Sequence, residues 1–314
     1  MTPSAFRHLF GPVPSRRLGR SLGIDVVPAK VCTLDCVYCE CGATTRCTTE
    51  RRAWVDTGAV LRELSDWLGS GGEADHLTFS GAGEPTLHVD LGRIAAWLGA
   101  RTAIPLALLT NGTLLGDPAL RAEVRPFAVI LPSLDAADEA TFDRINRPAP
   151  GLTAAALVEA LVALRRDYPG QIWLEVLLID GVNDTPEALA HLAAAVRRIR
   201  PDRVQVNTAV RPGTAPWVRP ATREALARAL AALGPGAEPV ADFAAEPPPV
   251  TAPPDPGRVL DVVRRRPETV AALAIALGHS RSDLQVLIDR MVASGQVRCE
   301  PRGDEVYVIA VERG

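Results

Sequence analysis

Short continuous apolar runs alternate along this chain with longer stretches in which apolar residues recur every three or four positions. The runs are SLGIDVV (21–27), HLTFSG (76–81), PLALLTNG (105–112), FAVILPSLD (127–135), QIWLEVLLI (171–179) and RVQVNTAV (203–210). Each is bounded by Gly, Pro, Asn or Asp, so they predict buried strands. Between them TGAVLRELSDWLG (57–69), LGRIAAWLGA (91–100), LTAAALVEALVALRRD (152–167), TPEALAHLAAAVRRIR (185–200) and ATREALARALAALG (221–234) carry helical spacing, and Gly or Pro follows most of them. Strand and helix alternating about six times predict parallel strands with right-handed crossovers. A closed eightfold barrel needs about 250 residues. The alternation over residues 1–233, with one long loop after the first strand, predicts an α/β fold built as an open, partial (β/α)6 TIM-like barrel.

The rhythm then changes. Residues 234–256 are proline-rich and predict a linker, with EPVADF (238–243) as a possible last edge strand. Residues 257–314 read as a helix, a short helix after PET, a turn at GHS, a longer helix over 280–295, and two strands, QVRCEP and EVYVIAV, joined by RGD. Three helices and a terminal hairpin predict a small winged-helix domain with SRSDLQVLIDRMVASG as its recognition helix.

Composition narrows the setting. The 314 residues are 47% hydrophobic, enough for a full core. No apolar run reaches the length of a membrane span, and the N-terminus lacks the apolar core of a signal peptide, so a cytoplasmic location is expected. A net charge of −3 provides no global attraction to nucleic acid.

Five of the six cysteines fall between residues 31 and 50. In a reducing compartment such a cluster points to a metal or redox centre, not to disulfides. Cys32, Cys36 and Cys39 are spaced C-x3-C-x2-C after the first predicted strand, where parallel α/β folds place their active-site loops. Cys41 or Cys47 could complete a closed zinc site. The bacterial ferredoxin spacing is not matched. Three thiolates on a four-iron cubane would leave one iron open to a substrate or cosubstrate.

CTLDCVYC (32–39), with Tyr38 before the third cysteine, resembles the signature of the radical S-adenosylmethionine (SAM) superfamily. TFSGAGEPTLH (78–88), at the end of the second predicted strand, resembles its glycine-rich segment. FGPVPSRRLGRSLGID, LLTNGTL, LPSLDAADEATFDRINRP and IWLEVLLIDGVND together resemble an iron-sulfur oxidoreductase family related to the wybutosine-forming tRNA enzymes, over roughly residues 7–220. The resemblance implies that Cys32, Cys36 and Cys39 ligate a 4Fe-4S cluster whose unique iron is chelated by SAM. One-electron cleavage would then yield methionine and a 5'-deoxyadenosyl radical, with a flavodoxin- or ferredoxin-like reductant as partner.

By the same resemblance Tyr38 lies along the adenine, and Gly81, Ala82, Gly83 and Glu84 present backbone and carboxylate acceptors to the methionine ammonium; otherwise the segment is a tight turn. Asn111 either caps a turn or lines the SAM pocket, and Ser133 and Asp135 stand where relatives contact ribose hydroxyls. Glu175 and Asn207, polar residues in apolar strands, either face the barrel lumen or find partners inside the protein. Arg16 and Arg17 are a solvated pair or a clamp for a carboxylate or phosphate. Cys41 is a substrate-facing thiol or a packing residue, and Cys299 is expected in the core of the C-terminal hairpin. The wybutosine-forming enzymes carry a second cluster on cysteines ahead of the SAM motif, and no cysteine precedes Cys32 here. The expected substrate is RNA, with Arg264, Arg265 and Arg266 contacting phosphates, or a peptide or protein. The alternative is a non-catalytic iron-sulfur or SAM-responsive regulator that binds DNA through the winged helix.

Overall fold

All six predicted parallel strands form in the computed structural model, which describes residues 6–15, 17–211, 213–240, 253–264, 267–302 and 305–311. In chain order the first part holds β1 (Leu9–Ser15), β2 (Gly19–Ile24), β3 (Val31–Cys32), β4 (Arg46–Cys47), α1 (Thr57–Gly69), β5 (His76–Phe79), α2 (Leu91–Gly99), β6 (Leu106–Thr110), α3 (Pro118–Glu123), β7 (Val129–Pro132) and α4 (Glu139–Asn146). It continues with α5 (Ala154–Asp167), β8 (Gln171–Leu178), α6 (Pro186–Ile199), β9 (Arg203–Thr208), α7 (Arg223–Leu233) and β10 (Ala237–Pro239). The C-terminal part holds α8 (Pro256–Val263), β11 (Glu268–Thr269), α9 (Val270–Leu277), α10 (Arg281–Ala293), β12 (Val297–Arg302) and β13 (Glu305–Ala310).

The main sheet runs β1-β2-β5-β6-β7-β8-β9-β10. β2 to β10 are parallel neighbours, while β1 is antiparallel to β2, so the sheet is mixed and open at both edges. β1 was not expected. Its sequence LFGPVPS carries two prolines, which an edge strand tolerates and a central strand does not. β10 covers part of the anticipated edge strand; residues 241–252 of the anticipated linker lie outside the described residues.

β8 shows how the sequence sets the two faces of the sheet. Ile172, Leu174, Val176 and Leu178 are fully buried and alternate with half-buried Trp173, Glu175 and Leu177, as period-two side chains must. The buried set belongs to the main core with Leu161, Leu164 and Leu192 of the flanking helices. Helix starts are fixed by caps: the side chains of Asp56, Thr153, Thr185 and Thr222 each accept from backbone N–H groups of the first turn.

The C-terminal unit has three helices and a three-stranded antiparallel sheet, β11-β13-β12, around its own core of Val259, Leu273, Leu284, Ile288 and Val308. Cys299 departs from expectation: it is exposed although it pairs with buried Val308, because β12 is the edge strand of that sheet. The unit packs α8 and α9 against β1. Arg302 donates to the carbonyls of Arg211, at 2.6 Å, and Val218, at 3.2 Å, beyond the end of β9. It therefore touches both ends of the open sheet. Among the described residues no helix is long and apolar enough to cross a membrane.

Candidate functional site

The loop from Val31 to Cys47 is held against the C-terminal ends of the strands by backbone bonds from three directions. Val37 N–H donates to Ile145 O at 2.9 Å and Ala215 N–H to Val37 O at 2.9 Å. Glu84 N–H donates to Val31 O at 3.0 Å, and Lys30 N–H to Ala82 O at 2.7 Å. The glycine-rich segment thus backs directly onto the cysteine loop. A Cβ on Gly83 would lie 2.5 Å from Val31 O, and one on Gly81 would collide with the Asp25 carboxylate, so both positions need glycine for close approach.

Cys32, Cys36 and Cys39 come together at this seat, and each sulfur meets one side-chain N–H. Asn111 Nδ2 is 3.5 Å from Cys32 Sγ, Asn146 Nδ2 is 3.4 Å from Cys36 Sγ, and Lys30 Nζ is 3.0 Å from Cys39 Sγ. Burial, reinforced by the Glu84 charge, pushes the Cys32 thiol up to about 12, and burial together with the Cys32 charge pushes Cys36 well above its ordinary value. Cys39 is shifted the other way: the Cys41 thiol that hydrogen-bonds to it and the Lys30 ammonium hold it below the ordinary thiol range, against burial. Three mutually repelling sulfurs with donors already aimed at them suit a cluster that keeps all three as thiolates. Among the described residues no three Cys, His, Asp or Glu side chains converge on a single ion. A cubane, whose irons and sulfides stand between its ligands, does not require that convergence. Cys47 is exposed, with its sulfur 3.6 Å from Thr33 O.

Beside the sulfurs a cavity of about 1580 Å³ extends over one face of the sheet, larger than the usual roughly 300–1,000 Å³ of a small-molecule site. Tyr38, Cys39 and Cys41 line it from the loop, and Gly81, Ser133, Asp135, Glu175 and Asn207 from successive strand ends. The C-terminal unit supplies a further wall through Arg258, Thr269, Ile275 and Tyr307. Tyr38 donates through its hydroxyl to Asp135 Oδ2. Asp135 also accepts from Asn146 Nδ2 at 3.0 Å and Leu177 N–H at 2.9 Å, yet burial pushes its carboxyl above the usual range. Glu175 both faces the cavity and meets an arginine, Arg17 Nη1 at 2.5 Å.

Several expected site residues stand away from the cavity wall. Ala82, Gly83 and Glu84 do not line the cavity. Glu84 is turned inward: its carboxylate accepts from Thr86 N–H at 3.0 Å, Thr86 Oγ1 at 2.6 Å, Thr110 Oγ1 at 2.7 Å and Asn111 N–H at 2.8 Å. A carboxylate with four protein donors has little capacity for another cation. Asn111 is likewise outside the cavity lining; its amide bonds Thr33 Oγ1 at 2.8 Å as well as the Cys32 sulfur. Arg16 lies outside the described residues.

Sequence reasoning missed Asn146, Arg211 and Lys30. Arg211 sits between Glu40 of the cysteine loop and Glu268 of the C-terminal unit, 3.3 Å from each. Arg211 belongs to no local motif, and Asn146 lies in LPSLDAADEATFDRINRP without a local pattern that marks it as a partner of Cys36. Lys30 did leave a signal: it is the single lysine in a chain with 34 basic residues.

A model of the radical SAM superfamily matches residues 26–193, a span that covers the cysteine loop and the strand ends through β8. The chain belongs to the radical SAM superfamily. It is 33% identical over 224 residues to the UPF0026 protein MJ1312 of Methanocaldococcus jannaschii, covering 71% of this chain and 70% of that one. It is 32% identical over 210 residues to the UPF0026 protein slr1464 of Synechocystis. A protein of Brachyspira hyodysenteriae described as GTPase Obg is 33% identical over 304 residues, 94% of this chain. The chain spans only 44% of the length of that relative. Among solved structures, a radical SAM methyltransferase from Sphaerobacter thermophilus shares the fold with a TM-score of 0.52 at 20% identity, covering 70% of this chain and 66% of that one. The radical SAM α/β fold with a mixed sheet is thereby established, and the superfamily's cofactors are a 4Fe-4S cluster and SAM. None of these relatives is described as a non-catalytic regulator.

Proposed function

We propose that Cys32, Cys36 and Cys39 hold the 4Fe-4S cluster and that SAM occupies the adjoining end of the cavity, with a polypeptide substrate in the remainder. The observation that carries this is the meeting of three N–H-bonded sulfurs with a cavity large enough for two molecules. When bound, the reduced cluster supplies the electron that splits SAM into methionine and a 5'-deoxyadenosyl radical, which takes hydrogen from the substrate.

The chain's own residues do the positioning. Tyr38 and Asp135, locked to one another, present a ring and an acceptor to a nucleoside, and Ser133 and Asn207 add polar atoms on the same face. Gly81 brings main chain close to the cavity. The Arg17–Glu175 pair places a cation and an anion on the wall at residual exposures of 18% and 17%, suited to a zwitterionic or carboxylate group.

The C-terminal unit has the element order of a winged helix, with α10 in the recognition position. That helix sets Arg281 and Arg290 against Asp283 and Asp289 and leaves Val286 at 52% exposure. A near-neutral face with an exposed valine favours contact with polypeptide over phosphate, for which binding energy comes chiefly from cationic side chains.

Anaerobic reconstitution with iron and sulfide, then dithionite and SAM, should give about four irons per chain and release 5'-deoxyadenosine. Cys36→Ala should abolish both. Intact 5'-deoxyadenosine release by C36A would overturn the ligand assignment. Co-purified RNA that binds more weakly as salt is raised, with no peptide captured, would overturn the substrate class.

A further inference from the structure

The amine of Lys30 is out of place on ordinary grounds. Every other basic side chain of this protein except the histidines is arginine, so the composition favours guanidinium wherever a positive charge suffices. The one ammonium is 9% exposed, and its hydrogen-bond partner is the Cys39 sulfur at 3.0 Å. A buried cation is costly without an anion beside it.

Its placement is fixed from both sides. The backbone of Lys30 is in the left-handed region at φ 61°, which a non-glycine residue adopts only where its surroundings enforce it. Its N–H bonds Ala82 O at 2.7 Å, and its carbonyl accepts from Thr45 N–H at 3.0 Å and Arg46 N–H at 3.1 Å. Lys30 does not line the cavity, so its ammonium is directed at the sulfur and not at a substrate. A guanidinium is broad and planar with five donors, whereas an ammonium is a compact point charge that fits behind a single sulfur.

We propose that Lys30 tunes the cluster through Cys39, stabilising its reduced state by placing one buried positive charge and one N–H···S bond on that ligand. This rests on the assignment of Cys39 as a cluster ligand made above. The reasoning is electrostatic. One-electron reduction adds a negative charge to the cluster, and a fixed cation in a low-dielectric site favours the more negative state. Lys30 is a positioning residue, since it acts through Cys39 and stands outside the cavity wall.

The test compares wild type, Lys30→Met and Lys30→Arg after reconstitution, by iron content and by redox titration followed by electron paramagnetic resonance. K30M should hold its iron and show at least a tenfold lower ratio of reduced to oxidised cluster at a fixed solution potential, which is 59 mV for a one-electron couple. K30R should fall between the two. An unchanged midpoint in iron-loaded K30M overturns the proposal while leaving the cysteine assignment intact. A wild type that binds no iron sinks that assignment and the tuning role together.

Should K30M fail to retain iron, the wild type decides. With one lysine, protein labelled with 15Nζ-lysine has a single side-chain ammonium resonance. Cluster loading should shift or broaden it by hyperfine contact, and an unaffected resonance in iron-loaded protein overturns the proposal.

Discussion

Arg211 forms an ion pair with Glu268 across 3.3 Å, joining the loop after β9 to the C-terminal unit. Glu268 is 4% exposed, and removing one partner of a buried pair leaves the other charged and unpaired, at about 3–5 kcal/mol. Arg211→Ala should therefore loosen the unit from the sheet. Amide exchange in α9 and β11 should accelerate by at least tenfold, while β5 to β8 keep their protection.

The sulfurs differ in reactivity before any cluster is present. Cys39 lies below the ordinary thiol range, through the Cys41 hydrogen bond first and Lys30 second, whereas Cys32 and Cys36 lie above it. The thiolate is the nucleophile. Iodoacetamide at pH 7 should label Cys39 of the iron-free protein about tenfold faster than Cys32 or Cys36, read by peptide mass spectrometry.

Gly83, in the glycine-rich segment, is pressed against the start of the cysteine loop, and an added methyl would stand 2.5 Å from Val31 O and 2.6 Å from Val27 Cγ2. Gly83→Ala should cost about 1–3 kcal/mol and reduce iron retained after reconstitution. Gly69→Ala, where an added Cβ meets nothing within 4 Å, should change neither melting temperature nor iron content.

Burial raises the carboxyl of Asp135 despite its three donors. A carboxyl raised on folding contributes stability that is full below its unfolded value, near 3.9, and is lost as pH climbs through the folded value. Wild type should therefore lose stability relative to Asp135→Asn as pH rises from about 4, measured by urea unfolding at successive pH values. A difference that does not vary with pH would remove the raised carboxyl as its source.

What could be read beforehand tracks how local the cause is. The six parallel strands are continuous apolar runs, and period and punctuation suffice to find them. β1 escaped because its prolines argue against a strand unless its place at the edge is known. The cysteine trio announces itself by spacing. Glu84 sits in the expected segment, but whether its carboxylate faces outward depends on Thr86 and Thr110, and Thr110 is 26 positions away. Asn146 reaches Cys36 across 110 positions, a pairing that no motif encodes. Lys30 was legible after all, as a singular departure from an arginine-only composition.

Thr214 Oγ1 donates to Cys36 O at 3.1 Å across 178 positions, and Gly213 lies so close to the Tyr38 main chain that a Cβ there would come within 2.8 Å. The first loop of the fold is thus seated by one of the last. The cysteine loop has no finished berth until Gly213 and Thr214 are folded against it. A chain cut short before them would hold its cysteines in an unfinished seat.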